Sequence, residues 1–227
     1  LFSFAGWIKG GNMNLTGRQM RLYAVTDRAW AADTDALLCQ IEDAIDGGAA
    51  VVQLREKRLD EDAFLEEAKR FAALCRRKGA VSIINDHVEI AQRSGADGVH
   101  IGQEDLEAGC VRRILGPDKI VGVSAHSVEE ALRAQAAGAS YLGVGAAFAT
   151  GTKADAKPIS RETIRAITAA VEIPVVAIGG IGRGNILELK GCGLDGVAVV
   201  SALFARPDVK AAAAELRRLS EEIAKED

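Results

Sequence analysis

Two carboxylates follow two apolar runs within Val81–Asp105, VSIINDHVEIAQRSGADGVHIGQED. Asn85 and Asp86 close the first run; Gln103, Glu104 and Asp105 follow the second. Parallel strands joined by a right-handed crossover helix lie side by side or nearly so. Their carboxyl ends then point the same way, and Asp86 and Asp105 face one pocket. Paired carboxylates on one rim suit a hard divalent cation that keeps several waters and binds phosphate. Taken singly, each aspartate is better explained as a helix cap, Asp86 for a helix beginning at His87. The cations change that balance. Gln53-Leu54-Arg55-Glu56-Lys57 ends an earlier apolar run, and alternation puts Gln53, Arg55 and Lys57 on one side. A guanidinium beside an ammonium suits a di-anion or pyrophosphate. With both carboxylates opposite both cations, a metal-bridged pyrophosphate is the better account.

Other run ends carry a second set of polar groups. Ser124 can donate to a phosphate or cap the helix near Val128. His126 is a candidate acid or base, though a partner for a backbone group is the plainer role, and His100, inside a strand, reads as structural. The loop Gly145–Asp155 offers Thr150, Thr152 and Lys153 to an anion and is long enough to act as a lid. Gly179-Gly180-Ile181-Gly182 and Val200-Ser201-Ala202 lie where backbone N–H groups at a helix start can hold a phosphomonoester, with glycine allowing close approach. No lysine is placed for a Schiff base and no serine elbow is present. A reaction that expels pyrophosphate while joining two substrates fits these groups, with catalysis mostly electrostatic and positional.

The elements that must position these groups alternate steadily. Strands are expected at Leu22–Val25, Ala50–Leu54, Val81–Ile84, Gly98–Ile101, Ile120–Val123, Tyr141–Val144, Val175–Ile178 and Gly196–Val199. Helices are expected near Thr34–Asp46, Glu61–Lys78, His87–Arg93, Leu106–Leu115, Val128–Ala137, Arg161–Val171, Arg183–Lys190 and Asp208–Ala224. Asp33 and Asp60 are placed to cap the helices after them. Gly79, Gly95, Gly116 and Gly138 are placed to end helices in a left-handed conformation. The phrases GGAAVVQL, SGADGVHI, AGASYLGV and CGLDGVAV each launch a strand and record a repeated βα unit. This pattern predicts a single-domain (β/α)8 barrel of the TIM type with its site at the carboxyl ends of the strands. An open doubly wound sheet is the runner-up, discounted because no GxGxxG follows the first strand.

The 227 residues suffice for one large core, and a net charge of −4 without a basic tract argues against nucleic acid. Four scattered cysteines suggest neither zinc nor disulfides and read as buried thiols in a reducing cytoplasm. The apolar start, Leu1–Ile8, is shorter than the roughly 20 residues that span a bilayer and lacks the features of a signal peptide. No membrane partner is expected, and residues 1–20 read as an extension, in part disordered, outside a catalytic barrel of residues 21–227. A homo-oligomer is compatible with the sequence, which does not fix an oligomeric state.

Seven motifs in register then identify a resemblance. QLREK (Gln53–Lys57), IINDH (Ile83–His87), GVHIGQEDL (Gly98–Leu106), GVSAHS (Gly122–Ser127), TGTK (Thr150–Lys153), AIGGI (Ala177–Ile181) and VVSA (Val199–Ala202) together closely resemble the thiamin phosphate synthase family. The resemblance implies a (β/α)8 barrel that couples 4-amino-5-hydroxymethyl-2-methylpyrimidine diphosphate to a thiazole phosphate with Mg²⁺. It implies a dissociative substitution, in which pyrophosphate leaves and the thiazole nitrogen captures a pyrimidine-methyl cation. Carried over by motif, Gln53, Leu54, Arg55, Glu56, Lys57, Asn85, Ser124 and Lys153 belong to the pyrimidine diphosphate site. Arg55, Lys57, Ser124 and Lys153 take the catalytic part, and Asp86 and Asp105 hold magnesium. Thr150, Gly151, Thr152, Gly180, Val200 and Ser201 belong to the thiazole phosphate site. The family's loop usually reads GPxFPTxTK; here Ala146 and Ala149 replace the prolines and Gly151 separates the threonines, which should loosen the unbound loop. A thiazole tautomerase-like relative, with His126 as its acid–base group, and a non-catalytic phosphate sensor are the alternatives.

Overall fold

The structure, a computed structural model, describes residues 15–103, 107–151 and 157–225. Short apolar runs form parallel strands: β1 Leu22–Val25, β2 Val51–Leu54, β3 Val81–Asn85, β4 Gly98–Ile101, β5 Ile120–Ala125, β6 Tyr141–Val144, β7 Val175–Ile178 and β8 Gly196–Val199. They close in chain order, β1 pairing β8 through Leu22 and Val197. This is the expected single (β/α)8 barrel.

Alternation along each strand splits the core into two layers. Leu22, Ala24, Val52, Leu54, Val99, Val121 and Leu142 join the layer that also holds the helix residues Leu37, Phe71 and Ile164. Tyr23, Val25, Val51, Ile83, Ile120 and Tyr141 form the separate interior layer. Most strand residues are therefore buried on both faces, which is why most strands read as near-continuous apolar runs.

The helices are α1 Gly17–Met20, α2 Thr34–Asp46, α3 Glu61–Lys78, α4 Val88–Ser94, α5 Ala108–Leu115, α6 Val128–Ala136, α7 Arg161–Ala170, α8 Ser201–Phe204 and α9 Val209–Ile223. Asp33 and Asp60 cap α2 and α3 through Ala36 N–H and Ala63 N–H. Gly79 and Gly95 end α3 and α4 in the left-handed conformation. Gly116 has the positive φ but an extended ψ, and Gly138 follows the cap residue Ala137. No helix among the described residues is long and apolar enough to cross a membrane.

Four expectations are corrected. Residues 15–20 do not stand outside the core: Leu15 and Met20 are buried in the interior layer, and Thr16 forms a capping box with Gln19 at the start of α1. The helix expected at Arg183–Lys190 is only a 3-10 turn at Ile186–Leu189. Asn185 accounts for this, because its side chain accepts from Gly182 N–H and donates to Gly180 C=O at 2.8 and 2.9 Å, competing with helical bonding. The helix near Val128 is capped by Ser127, whose Oγ accepts from Glu130 N–H, and not by Ser124. Of the four thiols, Cys75 and Cys192 are buried, Cys110 is half-buried and Cys39 is exposed.

Candidate active site

The segment after β2 is held by charge pairs that reach across the chain. Arg55 N–H donates to Thr26 Oγ1 at 3.0 Å, and its guanidinium meets Asp27 Oδ2 at 3.2 Å. Asp27 in turn accepts from Ala29 N–H, starting the 3-10 turn Arg28–Trp30. Arg28 from that turn lies between two carboxylates, donating to Glu56 Oε2 at 2.8 Å and also to Glu67 Oε2. Both carboxylate side chains are only 1% exposed. The other Glu56 oxygen accepts from the N–H groups of Lys57 and Arg58 at 2.7 and 2.5 Å. Burial pushes the Glu56 carboxyl up, but the Arg58 N–H, the Arg28 guanidinium and the Lys57 N–H together hold it below the ordinary glutamate range.

Two residues of the QLREK motif have their side chains engaged by the protein itself. Glu56 spends both oxygens bracing the loop on Arg28, and Leu54 is buried in the sheet–helix layer. Leu54 does not line the cleft beside the loop, whereas Glu56 does, with both its carboxylate oxygens already bonded. Arg55 is half-buried and Lys57 exposed, so the cations of QLREK are left at the rim by the packing of the residues between them.

At the end of β3, Asp86 adopts φ 62°, a left-handed conformation that aspartate tolerates better than most side chains. Its N–H donates to His100 C=O at 2.8 Å, and its carboxylate accepts from Asn85 Nδ2 at 2.5 Å. His87 occupies the cap position of α4 without a side-chain cap bond, so capping does not explain Asp86. Lys57 and Asp86 line one cleft of about 700 Å³, together with Leu59, Phe64 and His87. Asp105, Thr152 and Lys153 lie outside the described residues. Among the described residues no cluster of three or more acidic, histidine or cysteine side chains could hold a metal. The Asp86 carboxylate is an oxygen donor of the type magnesium accepts, and that ion commonly takes one or two carboxylates and completes its shell with phosphate and water.

Below the rim, the barrel interior carries polar groups where aliphatic side chains are usual. Gln53 Nε2 donates to Tyr23 Oη at 2.7 Å, and Tyr23 Oη meets Tyr141 Oη at 2.7 Å. His100 bonds Tyr141 Oη through Nδ1 at 2.9 Å and Ser124 Oγ through Nε2 at 3.0 Å. His100 therefore points inward. Burial pushes both phenols well above the ordinary tyrosine range. Sequence reasoning missed the two tyrosines. The available signal was Gly122 and Gly143, strand glycines that mark close approach: a Cβ on Gly122 would fall 2.2 Å from the Tyr141 ring, and one on Gly143 3.1 Å from His100. His126 lies outside this network, half-exposed, with Nδ1 3.1 Å from Glu130.

On the β7 and β8 side the positioning is by backbone. Ala147 N–H and Phe148 N–H donate to Ile178 C=O and Gly179 C=O at 2.8 and 3.0 Å, and Ile159 N–H donates to Ala146 C=O at 2.9 Å. The first half of the proline-less loop is thus pinned to β7. Gly180 has φ 63°, and a Cβ there would lie 2.3 Å from Ala149 C=O. After β8, α8 opens at Ser201 with Val200 as its cap, and the first N–H groups of a helix have no partner within it. Thr150 is half-buried, and Gly151, Gly180 and Ser201 are exposed. The arrangement places cationic side chains after β2, Asp86 after β3, and glycine-rich backbone after β7 with a short helix start after β8.

The chain is similar to known proteins along most of its length. Residues 22–203 match the family described as thiamine monophosphate synthase. A thiamine-phosphate synthase of Clostridium tetani is 49% identical over 195 residues, covering 86% of this chain and 93% of the relative. One from Chloroflexus aurantiacus is 50% identical over 200 residues, covering 88% and 92%. The solved thiamine phosphate pyrophosphorylase of Pyrococcus furiosus superposes with a TM-score of 0.83 at 38% identity, covering 91% of this chain and 98% of that one.

Proposed function

The chain belongs to the thiamine monophosphate synthase family, and on that premise we infer that it is a transferase joining 4-amino-5-hydroxymethyl-2-methylpyrimidine diphosphate to a thiazole phosphate, with release of pyrophosphate. The observation that carries this reading is that Lys57 and Asp86 line one cleft, with the half-buried Arg55 two residues before Lys57 in the same loop. A site for the thiazole phosphate alone would not need those groups.

In the reaction, the bond between the pyrimidine methylene and the diphosphate oxygen breaks, its electron pair leaving with pyrophosphate. The thiazole nitrogen then donates its lone pair to the methylene carbon, giving thiamin phosphate. Arg55 and Lys57 offset charge as it builds on the departing oxygens, which is where fixed cations accelerate most. Asn85 and Ser124 orient the diphosphate, and Lys153 has the same assignment by motif. Asp86, with Asp105, would hold magnesium, which when bound supplies further charge neutralisation on the diphosphate. Gly180, Val200 and Ser201, with Thr150, Gly151 and Thr152, hold the thiazole phosphate so that its nitrogen faces the methylene carbon, an entropic advantage. A tautomerase would need His126, whose ring is instead bonded to Glu130.

Incubation with both substrates and Mg²⁺ should yield thiamin phosphate and pyrophosphate in equal amounts; no product at any metal concentration would overturn the reading. Asp86→Ala should lower turnover by roughly 10²-fold, the usual loss for one electrostatic stabiliser. It should also weaken Mg²⁺ binding by calorimetry while leaving the melting temperature nearly unchanged. Native Mg²⁺ affinity in that variant would remove Asp86 from the metal site.

A further inference from the structure

We propose that Tyr23, Tyr141 and His100 form a polarity relay that positions Gln53 and Ser124, so that one end presents an acceptor and the other a donor to the substrate. Each phenol and the serine hydroxyl have one proton to give. Gln53 Nε2 donates to Tyr23 Oη at 2.7 Å. The Tyr23 proton then serves Tyr141 Oη, at 2.7 Å, and the Tyr141 proton serves His100 Nδ1, at 2.9 Å. His100 must therefore carry its proton on Nε2, which donates to Ser124 Oγ at 3.0 Å. The Ser124 hydroxyl proton, last in the row, is directed to the mouth.

The two ends are coupled. Rotating the Gln53 amide by half a turn puts Oε1 on Tyr23, and every later bond must reverse. Tyr23 would donate to Gln53, Tyr141 to Tyr23, and His100 through Nδ1, while Ser124 would turn its proton onto Nε2. Burial holds both phenols well above the ordinary tyrosine range, so they remain neutral donors throughout. Gly122 and Gly143 clear the space for the relay, since a Cβ on either would meet Tyr141 at 2.2 Å or His100 at 3.1 Å.

The inference rests on the transferase reading above. A ring amine needs an acceptor and a diphosphate oxygen needs a donor, and the relay sets Gln53 and Ser124 in those two senses together. A ring bearing an oxo group in place of the amine meets the wrong sense at Gln53. A site built to bond one polarity rejects the other strongly, because a buried polar group is left unpaired.

The test is calorimetric binding of the 4-amino pyrimidine diphosphate and its 4-oxo analogue, with Mg²⁺, to the full chain. The native protein should prefer the 4-amino compound. Tyr23→Phe and Tyr141→Phe should each cut that preference at least tenfold, mainly by weakening the 4-amino ligand. A purely structural role would weaken both ligands equally; an unchanged ratio in both variants overturns the relay while leaving the transferase reading intact. Failure of the native protein to bind either diphosphate overturns both.

Discussion

The two corners proposed to hold the substrates' phosphates are built from different materials. At β2–β3 the groups assigned to the diphosphate are side chains, and other side chains hold the segment: Asp27 on Arg55, and Arg28 with Glu56 and Glu67 beneath the loop. At β7–β8 the groups are backbone N–H at Gly180 and at the start of α8, held by loop-to-strand hydrogen bonds and a close approach to Ala149. The first corner is set by charge and so answers to pH and salt. The second is set by steric fit and answers to the addition of single atoms.

Breaking the charged corner should cost most. Arg28→Met leaves Glu56 and Glu67 as buried carboxylates without their shared cation, a loss of about 3–5 kcal/mol by the usual cost of breaking a buried pair. Urea unfolding would measure it, and a loss under 1 kcal/mol would show the triad to be solvated. The same corner predicts a pH dependence. The folded Glu56 carboxyl sits below its ordinary value, so its contribution is fully present above the ordinary glutamate pKa and is lost as pH falls through the depressed folded value. Calorimetric melting between about pH 4.3 and more acid conditions should show a falling melting temperature, with a shallower slope in Glu56→Gln.

The backbone corner should fail more modestly and more selectively. Gly180→Ala places a Cβ at φ 63° and 2.3 Å from Ala149 C=O, for a penalty of about 1–3 kcal/mol in local strain. The KM for the thiazole phosphate should rise by roughly tenfold, matching the lower part of that range, while the KM for the pyrimidine diphosphate stays nearly constant. Equal rises in both would mean that the corners do not act separately.

The two corners also differed in how far the sequence revealed them. The tight turn at Gly179–Gly180 is legible because glycine after an apolar run carries a local backbone meaning, and both residues have positive φ. Five strands, those beginning at Leu22, Gly98, Tyr141, Val175 and Gly196, have the expected bounds for a related reason: each apolar run meets a glycine or a polar residue within two positions of its end. The triad was not legible. Arg28, Glu56 and Glu67 lie 28 and 39 residues apart, and charged residues scattered at that distance read as surface. Local sequence groups Glu56 with its cationic neighbours, and only the fold shows its carboxylate bonded to Arg28. Tyr23 and Tyr141 were hidden similarly, 118 residues apart, and only the strand glycines hinted that something large filled the barrel. Local pattern fixes elements and backbone sites; side chains held by distant partners require the closed barrel.

The smallest effect sharpens what charge does at the first corner. Asp27 and Arg55 are each about one-fifth exposed and 3.2 Å apart, a pair of the kind worth at most about 1 kcal/mol. Asp27 can brace Arg55 or compete with the diphosphate for it. Asp27→Asn keeps an oxygen to cap Ala29 N–H and removes only the charge. The bond from Arg55 N–H to Thr26 holds the backbone regardless, so the change acts on the guanidinium alone. If Asp27 is a brace, the KM for the diphosphate should rise by up to about fivefold at low salt, the equivalent of 1 kcal/mol. That difference should shrink as ionic strength screens the pair. A fall in KM would instead make Asp27 a competitor that the substrate must displace, and the first corner would then be ordered by the triad alone.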